Sequence, residues 1–266
     1  MARSALLNVM VQAALKAGKS LTRDFGEVQN LQVSLKGPGN YVSQADRKAE
    51  KIVREELLKA RPTYGFLGEE SDEIKGTDGA HRWIVDPLDG TTNFLHGIPF
   101  FATSIALQRS GEIVAGVIYN PATDELFTAE KGGGAFVNDR RLRVSGRKNL
   151  SDSVIGCGLP HLGSTGHGKF LVQLRHVMGE AAGSRSFGAA ALDMAYVAAG
   201  RIDGFWEEYL SPWDVAAGVI LIREAGGFVS ELNGGGDFIE GGSIAAGNEH
   251  IHKALVEVAN RPIPKA

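Results

Sequence analysis

Apolar residues recur at helical spacing over the first segment. Leu6, Met10, Ala14 and Ala17 fall on one face, which predicts an amphipathic helix over residues 5–25. A second such face runs through Ala45, Ala49, Ile52, Val53, Leu57 and Leu58, predicting a helix over 44–60 that Pro62 ends. Between them, residues 33–35 read as a short strand ahead of a Gly37-Pro38-Gly39-Asn40 turn. The period then falls to that of strands. Residues 101–109 and 112–120 flank Ser110-Gly111, a hairpin signal, and residues 125–130 and 135–137 continue an antiparallel meander. The second half alternates: strands over 153–158, 204–207, 228–230 and 243–246, helices over 169–178, 189–199, 215–225 and 248–260. The pattern changes near 145–152, so the expected division is a strand-rich part, 1–147, and an α/β part, 148–266.

Composition narrows the class without selecting a function. The chain has 266 residues, 43% hydrophobic and 22% charged, ordinary values for a globular protein able to bury a large core. A net charge of −3 gives no support for a nucleic-acid partner. The local cluster Arg140, Arg141, Arg143, Arg147 and Lys148 reads as a solvated loop. No apolar run is long enough to span a membrane, and polar Asn8, Gln12 and Lys16 interrupt any leader-like core, so a cytoplasmic protein is expected. The single cysteine, Cys157, sits in an apolar segment and reads as a small buried residue. Gly132-Gly133-Gly134 lacks the strand-to-helix setting and following Lys of a phosphate loop and is read as a turn.

The chemistry concentrates in Asp86-Pro87-Leu88-Asp89-Gly90-Thr91-Thr92-Asn93, which follows the strand-like run Trp83-Ile84-Val85. Two carboxylates three residues apart are hard oxygen ligands of the kind Mg2+ prefers. The backbone N–H groups after Asp89 would suit phosphate if they open a helix. Upstream, Gly68-Glu69-Glu70-Ser71 adds two acids; downstream, Asp214 stands where an apolar, Ala-rich helix begins. Each has an ordinary explanation alone, as turn, surface acid or helix cap. Together, in this order, they point to metal-assisted phosphoryl chemistry. None of the seven histidines shares a ligand-like spacing with the acids, and His250 and His252 are expected to be exposed on the last helix.

These three stretches, with Tyr41–Asp46 and Phe187–Asp193 in support, resemble the inositol monophosphatase family in its bacterial branch, over about residues 5–256. The resemblance implies a layered αβαβα sandwich, usually dimeric, whose site lies between the two sub-domains. It implies Mg2+, two or three ions per site, with Li+ sensitivity. Glu69 and Asp86 with the Leu88 carbonyl would hold the first ion; Asp86, Asp89 and Asp214 the second; Glu70 would stand behind them or serve a third. Gly90 and Thr91 would offer N–H groups to phosphate. The Thr91 hydroxyl, with Glu69, would orient the attacking water, and Asp46 would accept a hydrogen bond from Thr91. Glu207 would accept polyol hydroxyls, with Glu208 the competing candidate, while Asp89 and the Gly188-Ala189-Ala190 loop would contact the ring. Lys36 resembles a basic residue near the metal entrance. Trp213 is read as a core anchor.

The implied substrate is a small phosphorylated polyol or sugar, myo-inositol monophosphate first. Fructose 1,6-bisphosphate or a 3′-phosphonucleotide remains as an alternative using the same chemistry. So does a second role in RNA or transcription complexes, which the composition does not support.

Overall fold

The computed structural model describes residues 3–27, 33–37 and 40–262. Helix α1 (Ala5–Phe25) begins where the Ser4 side chain accepts from the Leu7 N–H, and α2 (Gln44–Ala60) where Ser43 accepts from Asp46. Strands β1 (Val33–Gly37) and β2 (Asn40–Ser43) form a hairpin in which Gly37 faces Asn40. The middle of the turn expected there, and the Lys36 side chain, lie outside the described residues.

The next seven strands form one sheet in chain order: β3 (Gly65–Gly68), β4 (His81–Asp89), β5 (Ala102–Arg109), β6 (Glu112–Asn120), β7 (Glu125–Glu130), β8 (Gly134–Val137) and β9 (Arg140–Arg141). All pairings are antiparallel except that of β3 with β4. The expected meander is present, with one parallel edge added. A short helix, α3 (Thr91–Leu95), follows β4.

The remaining elements are β10 (Val154–Cys157), α4 (His167–Met178), β11 (Gly183–Arg185), α5 (Ala190–Ala198), β12 (Gly204–Glu208), α6 (Pro212–Glu224), β13 (Phe228–Ser230), β14 (Ser243–Gly247) and α7 (Glu249–Ala259). Their five strands make a mixed sheet in the order β11-β10-β12-β14-β13. Helix α6 starts three residues earlier than its apolar run suggests. Pro212 occupies the first turn, where its missing N–H costs nothing, and Ser211 precedes it as cap.

Layering follows from the faces. Helices α1 and α2 pack on one side of the large sheet, α5 and α6 fill the space between the two sheets, and α4 and α7 cover the far side of the small one. The order is αβαβα. Helix α6 is apolar all round from Val215 to Ile222, as a helix with protein on both sides must be. One apolar core runs from Ile84, Ile118 and Phe127 through Leu192 and Ile220 to Phe205 and Ile244, joining both sheets.

Candidate active site

Strand β4 sets the geometry. Asp86 pairs with Ser104 of β5 and Asp89 with Ala102, so three steps on β4 match two on its neighbour. This is a β-bulge, and Pro87 sits in it, where a missing N–H does not interrupt the ladder. In a regular strand, residues three apart face opposite sides. The extra residue brings Asp86 and Asp89 to the same side, and both line one cavity of about 310 Å³. The Leu88 N–H donates to Asp86 Oδ1 at 2.9 Å and fixes the turn. Glu69 follows β3 directly. Its N–H donates to the Val85 carbonyl at 3.2 Å, which places it beside Asp86 across the parallel pairing.

Glu69, Asp86, Leu88, Asp89, Gly90, Thr91, Thr92, His161, Gly188, Tyr209, Ser211, Trp213 and Asp214 surround the cavity. Eight of these, Glu69, Asp86, Leu88, Asp89, Gly90, Thr91, Gly188 and Asp214, are the positions the motifs single out. Asp214 lies inside the first turn of α6, where its Oδ2 accepts from the Ser211 N–H at 2.7 Å. Capping and the site are therefore served by the same carboxylate. Thr91 Oγ1 lies 3.3 Å from Asp46 Oδ2 and 3.0 Å from the Leu88 carbonyl, so its hydroxyl is held from behind. Asp46 is buried in the first turn of α2 and meets Glu69 and Glu70 in a trio whose oxygens lie within 4.8 Å of one another.

The acids are costly to keep charged together. Burial pushes the Asp86 carboxyl well above the usual range, and Glu69, Asp89, Asp214 and Asp46 push it further. Burial and then Asp214 do the same to Asp89, against the lowering effect of the Ala191 N–H, 2.8 Å from Oδ2. An all-oxygen set of mutually repelling acids around an open cavity fits a hard divalent cation.

The sugar-side candidates fall differently. Ala189 and Ala190 are buried at the start of α5 and do not border the cavity. Their loop acts through the Ala191 N–H on Asp89. Glu207 does not border the cavity either and is partly buried in β12. Its carboxylate occupies the space above Gly158, where an added β-carbon would come within 2.1 Å of either oxygen. Burial raises its pKa well above normal, with Asp214, Asp193 and Asp89 adding to it. Glu208 instead forms an ion pair with Lys169 of α4.

Four contributors were not evident in the chain. Asn93 Nδ2 donates to the Phe100 carbonyl at 2.8 Å and the Phe187 carbonyl at 2.7 Å, tying the loop before Gly188 to the motif; its place four residues after Asp89 was the available signal. Glu50 is buried and accepts from the Glu70 N–H at 2.7 Å; its helical spacing from Asp46 could have marked it. His161 and Tyr209 enter from distant loops with no local signal. His161 borders the cavity although its spacing from the acids is not ligand-like. His252 departs from expectation: it is partly buried, with Nε2 2.9 Å from Ser230 Oγ, and burial lowers its pKa. Trp213 packs against the core and also borders the cavity. Cys157 is buried, its thiol pushed up to about 12 chiefly by burial.

Gly90 shows why this loop is glycine-bearing. Its φ is 86°, and a β-carbon there would approach the Phe100 carbonyl at 2.9 Å. Gly132 and Gly133 form the expected turn, and Gly134 opens β8. The N–H groups of Gly132 and Gly134 each donate to the Glu224 carboxylate at 2.8 Å.

Comparison with known proteins gives a consistent result. The inositol monophosphatase family matches residues 2–263. An inositol-1-monophosphatase of Rhizobium meliloti is 76% identical over 264 residues, covering 99% of both chains. A Nus factor SuhB of Pseudomonas aeruginosa is 44% identical, covering 97% of both. The crystal structure of the extragenic suppressor protein suhB from Bartonella henselae superposes with a TM-score of 0.96 at 66% identity, covering 98% of this chain and all of that one.

Proposed function

Because the chain belongs to the inositol monophosphatase family and is a phosphatase of it, we propose that it hydrolyses myo-inositol monophosphate to inositol and phosphate with Mg2+ as cofactor. The observation that carries the reading is the bulge in β4, which turns Asp86 and Asp89 onto one cavity with Glu69 and Asp214. Glu69, Asp86, the Leu88 carbonyl, Asp89 and Asp214 would hold two ions, with Glu70 beside Asp46 for a third. Mg2+ bound there would supply positive charge to the phosphoryl oxygens and acidify a water.

The chain's own groups do the rest. Gly90 and Thr91 turn backbone N–H groups toward the phosphate. Thr91, fixed by Asp46 and Leu88, presents its hydroxyl oxygen as acceptor to the attacking water, and Glu69 takes that water's proton. The nucleophile is water, so no phosphorylated side chain forms. Glu207 and Asp89 accept hydroxyls of the polyol, and the Gly188–Ala190 loop supports the ring.

The lining supports a monophosphate over the alternatives. Among the described residues around the cavity none is Arg or Lys, which a second phosphate would require. Arg201 is turned to Glu125, 2.9 Å away, and lies over the Tyr196 ring. Phosphate release from myo-inositol monophosphate, fructose 1,6-bisphosphate and a 3′-phosphonucleotide tests this directly. The inositol ester should have the highest kcat/KM; a preference for either bisphosphorylated ester would overturn the assignment.

Several finer points rest on the family and belong to the same proposal: a homodimer, Li+ inhibition, and work in the cytoplasm. No helix among the described residues is long and apolar enough to cross a membrane. A sub-domain boundary at 147/148 is favoured by the large sheet ending at Arg141 and the small one starting at Val154. The relative named a Nus factor favours a second, non-catalytic role in a transcription complex. Pull-down with Asp89→Asn as bait separates that role from catalysis. Retention of transcription proteins by this variant supports the second role, and their absence with wild-type bait removes it.

A further inference from the structure

Among the described residues, five that are not glycine have positive φ: Ser110, Asp124, Asn138, Asp139 and Tyr209. The first four are small and polar, of the kind that tolerates this conformation in turns. Tyr209, at φ 67°, is a bulky aromatic, and such a residue held there marks a site where surrounding structure overrides the local preference. The overriding contacts are visible. Before it, Glu208 of β12 pairs with Ser243 of β14; after it, the Leu210 N–H donates to the Gly242 carbonyl at 3.0 Å and the Ser211 N–H to Asp214. The backbone is fixed on both sides, so the side chain is aimed rather than free to choose.

It is aimed at the mouth of the cavity. Tyr209 is 54% exposed and borders the cavity together with His161. Its ring lies against Gly166 at the head of α4. A β-carbon at that glycine would come within 2.2 Å of the Tyr209 hydroxyl and 2.8 Å of the ring. The loop leading to Gly166 carries His161, whose carbonyl accepts from the Ser164 N–H at 3.1 Å and the Ser164 hydroxyl at 2.6 Å. Tyr209 and His161 thus border one cavity, whose lining otherwise comprises the Glu69, Asp86, Asp89 and Asp214 carboxylates, Thr91, Thr92 and Ser211, backbone, and Trp213, which is anchored in the core.

We propose that Tyr209, with His161, forms an aromatic lip that stacks on the C–H face of the substrate's alcohol ring and makes the enzyme prefer ring alcohols to open-chain ones. The inference rests on the phosphatase reading above and names a specificity determinant within it. A cyclic polyol has a hydroxyl edge and an apolar C–H face. Glu207 suits the first and an aromatic ring the second. A three-carbon ester anchored by its phosphate at Gly90 and Thr91 has no such face to offer.

The test compares KM for myo-inositol 1-phosphate and glycerol 2-phosphate in wild type, Tyr209→Gly and Tyr209→Phe, with the melting temperature of each. Glycine accepts φ 67° without strain, so Tyr209→Gly should melt no lower than wild type. It should raise the ratio of the inositol-ester KM to the glycerol-ester KM about tenfold, with kcat for the inositol ester little changed. Tyr209→Phe, which keeps the ring, should restore the wild-type ratio. Equal effects on both esters, or a Phe variant as impaired as Gly, would overturn the lip while leaving the phosphatase reading intact. Phosphate release from neither ester by wild-type enzyme would overturn both.

Discussion

Asp89 illustrates how much one carboxylate is asked to do. One oxygen accepts the Ala191 N–H from the head of α5, and the group faces Asp214 across the cavity. Thr91 has a narrower task. Its hydroxyl is anchored to Asp46 and the Leu88 carbonyl, and it is not among the acids that repel one another. Thr91→Ala should therefore lower kcat by about a hundredfold while shifting the Mg2+ concentration for half-activity little. A large rise in that concentration with normal kcat at saturation would make Thr91 a metal-affinity residue instead. At this scale the chain was informative wherever a motif is contiguous: Glu69, Asp86, Asp89, Gly90, Thr91 and Asp214 meet around one cavity. It was silent where the partner is remote in sequence. His161 and Tyr209 reach the same cavity from loops far from the motif, and nothing in their local sequence records that approach.

Elements carry these residues into place through their ends. Asp46 and Asp214 lie in the first turns of α2 and α6, Glu69 follows β3, and Asp89 closes β4. The periodic segments were legible: α1 and α2 fall where the apolar spacing puts them, because each has one buried face and one solvated face, whereas β6 and β7 are buried on both faces and were marked by the turns that bound them. Boundaries set by backbone bonding were not. Helix α6 is apolar all round, so its period cannot mark its start, and the Pro212–Trp213 turn was left outside the expected helix. Strand β11 is three residues long and is held by pairing with β10, with no pattern of its own. The glycine turn between β7 and β8 shows an element end with a structural task. Glu224, at the end of α6, accepts two of its N–H groups. Glu224→Ala should cost about 1–2 kcal/mol, read as a fall of a few degrees in melting temperature with kcat/KM for the inositol ester unchanged. Unchanged melting would mean that water replaces the carboxylate without loss.

For the whole molecule, the acid cluster links stability to pH and metal. Asp86 and Asp89 hold their protons more tightly folded than unfolded, since burial and neighbouring acids raise both well above the ordinary carboxylate range. The folded state therefore binds more protons, and the stability present below the ordinary carboxylate range is lost as pH rises through the raised values. Metal-free protein should melt at a higher temperature at about pH 5 than at about pH 8. Asp89→Asn should flatten this slope, and Mg2+, bound only by the folded state, should reduce it while raising the melting temperature overall. A metal-free melting temperature that climbs steadily toward alkaline pH would mean that other groups dominate.

The central claim is that these gathered acids hold the metal on which hydrolysis depends. Phosphate release from myo-inositol monophosphate, before and after exhaustive chelation and again after Mg2+ is returned, tests it most directly. The account predicts activity that disappears on chelation and returns with Mg2+ in wild type, and that does not return in Asp89→Asn. Release that continues undiminished in the chelated wild-type protein would contradict it.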